Sequence, residues 1–171
     1  MSEGRITFIL GGSRSGKSGF ALRQSAIVAG RKAFIATAQA LDDEMKERIE
    51  RHRIERPAEW KTFEAPLELQ QTITRIGGQF EVVLVDCLTL WLSNLMLNER
   101  NVDAEIESLI AAAVSCPCPL FIVSNEVGMG IVPDNALARK FRDSAGALNR
   151  RMAEIAREVY LVAAGIPVKI K

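Results

Sequence analysis

Near the start of the chain, Gly11-Gly12-Ser13-Arg14-Ser15-Gly16-Lys17-Ser18 follows the spacing GxxxxGK[ST] and restricts the fold more than any other segment. A short apolar run at 6–10 precedes it, and a helical pattern begins at Lys17. Glycines let the backbone curl so that successive N–H groups face one phosphate, and the start of a helix adds positive potential. In that setting Lys17 is expected to reach the β- and γ-phosphates of a nucleotide as a catalytic group, and Ser18 to ligate Mg2+. A glycine-rich turn carrying a surface lysine is the plainer alternative. The strand before and the helix after argue against it.

Short apolar runs alternate with helical patterns along the whole chain. Strands are predicted at 6–10, 33–37, 61–64, 82–85 and 120–124. Helices are predicted from Lys17 with Phe20, Ala21, Ile27 and Val28 inward and Gly30 as the stop, and at 41–53, 66–76, 88–97, 103–114 and 135–157. The tail at 159–162 and 168–170 reads as a terminal hairpin around Gly165. No linker, repeat or low-complexity stretch interrupts the order. The expected fold is α/β, a P-loop NTPase (RecA-like) in a single nucleotide-binding domain over 1–171. Its mostly parallel sheet carries helices on both faces and a C-terminal antiparallel hairpin.

Composition narrows the function classes. The 171 residues are 48% hydrophobic and 25% charged, as in a globular domain able to build its own core. Lys and Arg total 22 against 21 Asp and Glu, a net charge of +1, so no nucleic-acid partner is expected. No apolar run reaches the length of a membrane helix, and the first residues do not read as a signal peptide, so a cytoplasmic protein is expected. Cys87, Cys116 and Cys118 form no CxxC pair and read as reduced structural thiols.

Two further positions carry chemistry. The apolar strand at 82–85 ends in Asp86, where a phosphate-loop protein places its Mg2+-side carboxylate; capping the following turn is the alternative. Motor ATPases often carry a water-activating glutamate next, and here the residue is Cys87, which favours group transfer over hydrolysis. His52 is the one histidine of the chain, so a multi-histidine metal site is excluded. It shares a helical stripe with Met45 and Ile49, and Arg48, Arg51, Arg53 and Arg56 surround it. Spacing alone leaves a structural, helix-terminal histidine and a phosphoryl-accepting nucleophile in balance.

The motifs together resemble the bifunctional adenosylcobinamide kinase/adenosylcobinamide-phosphate guanylyltransferase family of cobalamin biosynthesis. The resemblance rests on GGSRSGKS at 11–18, IATAQALDDEM at 35–45, RIERHRIERP at 48–57, W-x-T-x-E at 60–64, SNEVGMGIVPDNALARKFRD at 124–143 and VAAGIPVKIK at 162–171. It implies that ATP or GTP phosphorylates the aminopropanol hydroxyl of adenosylcobinamide. GTP then guanylylates a histidine, and GMP passes to adenosylcobinamide phosphate to give adenosylcobinamide-GDP. The family's histidine lies in an H-x-x-x-R-P segment that only His52 matches, which makes His52 the expected nucleophile. By the same resemblance Ala36, Thr37 and Ala38 line the nucleotide site, and Arg53, Ile54, Glu55, Arg56 and Glu64 contact the guanylyl group or its base. Asp86 stands at an acidic position with a shorter side chain than the usual glutamate, completing with Ser18 the expected metal-side pair. A homotrimer and a corrinoid substrate are also implied.

The loop at 125–133 follows a strand end and should face the same crevice, with Glu126 a candidate acid/base or metal-side group. Arg139, Arg142 and Asn149 on the next helix have a solvated face as their plainer reading. Two other functions compete: a kinase for another small alcohol with a structural His52, and a RecA-like ATPase or switch module. Cys87 and the near-neutral charge weigh against the last.

Overall fold

In β1 (Ile6–Gly11) the side chains of Ile6, Phe8 and Leu10 enter one buried cluster and that of Ile9 enters another. Successive strand side chains point to opposite faces, so a strand that is apolar on both must lie between two layers. The computed structural model that shows this describes residues 5–54 and 57–171, apart from the side chains of Arg48 and His52.

After β1 come α1 (Lys17–Ala26), β2 (Lys32–Ala36), α2 (Asp43–Ile54), β3 (Trp60–Glu64), α3 (Leu69–Ile76) and β4 (Val82–Asp86). Then follow α4 (Leu88–Leu97), α5 (Val102–Val114), β5 (Leu120–Asn125), α6 (Ala136–Ile155), β6 (Glu158–Ala163) and β7 (Ile166–Lys169). The strands form one sheet in the order β3-β2-β4-β5-β1-β6-β7. Every neighbouring pair is parallel except β6 and β7. One face packs on α3, α4, α5 and α6, through side chains such as Leu69, Trp91, Leu109 and Leu148. The other packs on α1 through Phe20 and Ala21.

Trp91 anchors the larger layer. It is fully buried, and its Nε1–H donates to Leu67 O at 2.9 Å, so its one polar group is satisfied. Trp91→Ala is expected to cost ~3–5 kcal/mol. A fall in the urea midpoint of unfolding checks this.

Several sequence expectations shift by a few residues, each for a local reason. α1 ends at Ala26, and Ile27, expected inward, is 76% exposed. The buried place near the helix end goes to Ser25, whose hydroxyl donates to Ala21 O at 2.7 Å. α2 starts at Asp43 because Asp42 Oδ1 accepts the Met45 N–H at 2.7 Å and so acts as the cap. α3 starts late, since Pro66 O and Leu67 O are taken by Asn94 Nδ2 and Trp91 Nε1 of α4. α6 stops at Ile155, and Arg157 N–H already donates across the sheet to Ile6 O at 2.9 Å. The predicted hairpin forms, but β6 also joins the parallel sheet beside β1.

Candidate active site

The chain leaves β1 through Gly11, where a Cβ would sit 2.4 Å from Ser15 Oγ and 2.6 Å from Val162 O. Only glycine allows the loop to pack this close to β6. Gly16 follows at φ +93°, a conformation side chains disfavour, and turns the chain into α1. Within the loop Ser15 N–H donates to Gly12 O at 3.3 Å, and Lys17 Nζ donates to the same carbonyl at 2.9 Å. Lys17 is only 6% exposed. Two neighbours brace the loop: Glu126 N–H donates to Gly11 O at 3.0 Å, and Gly165 N–H donates to Ser15 O at 2.8 Å.

α1 has no side-chain cap and no acidic residue in its first turn. By contrast, Asn101 and Asn135 cap α5 and α6 by accepting from Ala104 N–H and Ala138 N–H. An uncapped helix start presents open N–H donors and the positive end of the dipole, the arrangement that holds a phosphate.

A cleft of about 430 Å³ opens over this loop at the C-terminal ends of the parallel strands, where open α/β sheets bind ligands. Ser13, Lys17 and Ser18 form its phosphate-loop side. Ala36, Glu64, Asp86 and Asn125 come from the ends of β2, β3, β4 and β5, with Ala38 just beyond β2. α2 closes the cleft with Met45 and Ile49, two half-buried side chains on a helix rich in charged residues. Phe34, Pro66 and Leu90 supply apolar wall. The mixture suits a nucleotide: a polar floor for phosphates beside an apolar surface for a flat base.

Thr37 was expected on this wall and lies behind it. It is fully buried; its hydroxyl donates to Cys87 O at 2.7 Å and accepts the Cys87 N–H at 2.8 Å. Asn94 Nδ2 then holds Thr37 O at 2.7 Å, so the ends of β2 and β4 are tied together where Asp86 enters the cleft. Thr37→Val keeps the shape and orphans the buried Cys87 N–H. It is expected to cost ~1–3 kcal/mol, seen as a lower urea midpoint at unchanged slope. Burial first, and the Asp86 charge second, push the Cys87 thiol up to about 11. It stays protonated at neutral pH and is no nucleophile.

Behind β5 a second polar cluster escaped the sequence reading. Thr89 Oγ1 lies 3.2 Å from Ser124 Oγ, which donates to Asn149 Oδ1 at 2.7 Å; Asn149 Nδ2 donates to Asn125 O at 3.0 Å. Asn125 N–H closes the circuit by donating to Thr89 Oγ1 at 2.7 Å. Asn149 is therefore buried scaffolding under the cleft, not part of a solvated face. The polar pair Ser124-Asn125 at the end of an apolar strand was the available signal.

Other predicted residues sit elsewhere. Gly12 and Arg14 are exposed on the loop, and Arg14 has φ +56°. Arg53 and Ile54 are exposed on α2 and are not among the residues that line the cleft. Glu55 and Arg56 lie outside the described residues, as does the His52 side chain. Glu126 is turned into its own loop, accepting the Gly128 N–H at 2.5 Å, and does not face the cleft. Arg142 donates to Gly128 O and Arg139 to Pro133 O and Asp134 O, so both secure that loop.

The family described as "Cobinamide kinase / cobinamide phosphate guanyltransferase" matches residues 7–170. The chain belongs to that family. A relative from Escherichia coli (strain K12), "Bifunctional adenosylcobalamin biosynthesis protein CobU", is 44% identical over 184 residues, covering 97% of this chain and 99% of the relative. The Pseudomonas aeruginosa "Bifunctional adenosylcobalamin biosynthesis protein CobP" is 44% identical over 165 residues, covering 95% of each. Among solved structures, the flagellar accessory protein FlaH from Methanocaldococcus jannaschii is similar with a TM-score of 0.53 at 13% identity. That match covers 93% of this chain and 71% of FlaH and bears on fold alone. Family membership and the sheet order agree with the expected RecA-like P-loop fold. No helix among the described residues is long and apolar enough to cross a membrane.

Proposed function

We propose that this chain phosphorylates adenosylcobinamide with ATP or GTP and then passes GMP from GTP, by way of His52, to adenosylcobinamide phosphate. The supporting observation is the cleft that joins Lys17, Ser18 and Asp86 to the Met45–Ile49 stripe of α2. In the first reaction the substrate hydroxyl oxygen attacks the γ-phosphorus, and the nucleoside diphosphate leaves. The loop N–H groups and Lys17 stabilise the charge on the transferring phosphoryl group. In the second, an imidazole nitrogen of His52 attacks the α-phosphorus of GTP and pyrophosphate leaves. A phosphate oxygen of adenosylcobinamide phosphate then displaces His52 from phosphorus to give adenosylcobinamide-GDP. Position 52 follows Ile49 by three residues in α2, the spacing of neighbours along a helix, which supports this reading.

Ser18 and Asp86 fit Mg2+: one hydroxyl and one carboxylate share the cleft, and Mg2+ is usually held by one or two carboxylates together with substrate phosphates. No group of three His, Cys, Asp or Glu side chains forms a metal cage among the described residues. A bound Mg2+ would neutralise phosphate charge there. Arg53, Ile54, Glu55, Arg56 and Glu64 are assigned to the guanylyl side and its base. Ala36 and Ala38 are assigned to the nucleotide wall. We further place the protein in the cytoplasm as a single-domain homotrimer, without a nucleic-acid partner.

The test is incubation with α-labelled GTP and Mg2+, followed by acid and base treatment. Protein-bound label that is acid-labile and base-stable is expected. Phosphorylation of adenosylcobinamide without such label would leave a kinase alone.

A further inference from the structure

The turn between α5 and β5 holds a feature that the cofactor chemistry does not use. The chain bends at Pro117 and Cys118, and the Cys116 and Cys118 sulfurs come within 3.7 Å of each other. Cys116 is half-buried and Cys118 is buried. The end of α3 backs the pair: a Cβ on Gly77 would lie 3.0 Å from Cys116 Sγ and 3.2 Å from Pro117 Cδ. Cys116 thus packs against the edge of the larger core beside Cys118 and keeps part of its surface open to solvent.

We propose that Cys116 and Cys118 form a reversible dithiol–disulfide centre that reacts with hydrogen peroxide, Cys116 as the attacking thiol and Cys118 as the resolving one. The Cys116 sulfur attacks one peroxide oxygen, the O–O bond breaks, and water leaves, with Cys116 oxidised to a sulfenic acid. The Cys118 sulfur then attacks the Cys116 sulfur, the S–O bond breaks, a second water leaves, and the disulfide forms. Two thiols and one hydrogen peroxide thus give one disulfide and two waters.

The division of roles follows exposure and charge. The Cys118 hydrogen bond lowers the Cys116 thiol from its ordinary value, against the opposing effect of burial. The same bond, burial and the nearby Glu81 charge raise Cys118. A low thiolate pKa with access to solvent, beside a second thiol, is the pattern of a peroxide-reactive pair. Residues two apart across a bend can meet the ~4.4–6.8 Å Cα separation that a disulfide requires. Cys87 serves as an internal comparison, buried at the other end of the sheet and held protonated.

The experiment treats the reduced full-length protein with hydrogen peroxide near neutral pH and maps the peptides by mass. A Cys116–Cys118 cross-link is expected, with a mass loss of two hydrogens, before any change at Cys87, and dithiothreitol should reverse it. Cys118→Ser should trap a Cys116 sulfenic acid that dimedone captures; Cys116→Ser should capture none. The urea-unfolded chain should lose the preference over Cys87. Oxidation of Cys87 first, disulfides only between chains, or sulfinic acid at Cys116 without a cross-link would each overturn the proposal.

Discussion

Lys17→Ala is expected to lower both phosphoryl and guanylyl transfer by ~10²–10³, the usual effect of removing one preorganised donor at a developing charge. The Lys17 amine is nearly buried at the floor of the cleft, held by Gly12 O at 2.9 Å, so its position is set before a nucleotide arrives. Alanine keeps α1 intact, since it is the best helix former, and the loop's remaining backbone bonds do not involve the side chain. The variant should therefore fold with ordinary cooperativity while losing activity. Diphosphate release with adenosylcobinamide reports one reaction, and transfer of α-labelled GMP reports the other. Loss of guanylyl transfer with kinase activity intact would show that two phosphate sites exist rather than one.

His52→Ala has the sharper signature. The protein-bound label from α-labelled GTP and the formation of adenosylcobinamide-GDP should both disappear, while phosphorylation of adenosylcobinamide continues near the parent rate. No second histidine exists to substitute. The fold should tolerate the change, because alanine is the best helix former and keeps α2 intact. Label surviving in this variant would rule out His52 as the nucleophile. Loss of both activities would instead make α2 a positioning element for the kinase reaction as well.

The loop at 11–18 was legible because each of its requirements is local: glycine where the backbone is crowded, lysine at the helix start, an apolar strand before. The strands were legible for a related reason, since a sheet covered on both faces needs continuous apolar runs such as Val82-Val83-Leu84-Val85. What local pattern does not encode is which polar group meets which across the fold. Thr37 reads as a wall residue until Cys87, fifty positions later in the chain, takes both hydrogen bonds of its hydroxyl. Glu126 reads as a catalytic carboxylate until its own loop folds back and offers the Gly128 N–H. Ser124, Thr89 and Asn149 come from three elements and show their circuit only when those elements pack. The approach of Cys116 to Cys118 likewise depends on a bend that the count of three cysteines does not reveal.

The sheet order has a consequence for the time at which the site can exist. β1 lies between β5 and β6, with Ile6 opposite Leu120 and Thr7 opposite Glu158. The strand that launches the phosphate loop is made early, and both of its neighbours are made late. Closing such long loops is slow because chain entropy is lost before the contacts repay it. A chain still being synthesised can pair β2, β3 and β4 while β1 waits beside no partner. Ser15 O and Gly11 O find their donors on Gly165 and Glu126 only when the later strands are in place. Nucleotide binding should therefore be among the last properties this chain acquires during folding and, by the same contacts, among the first lost when β6 and β7 come away.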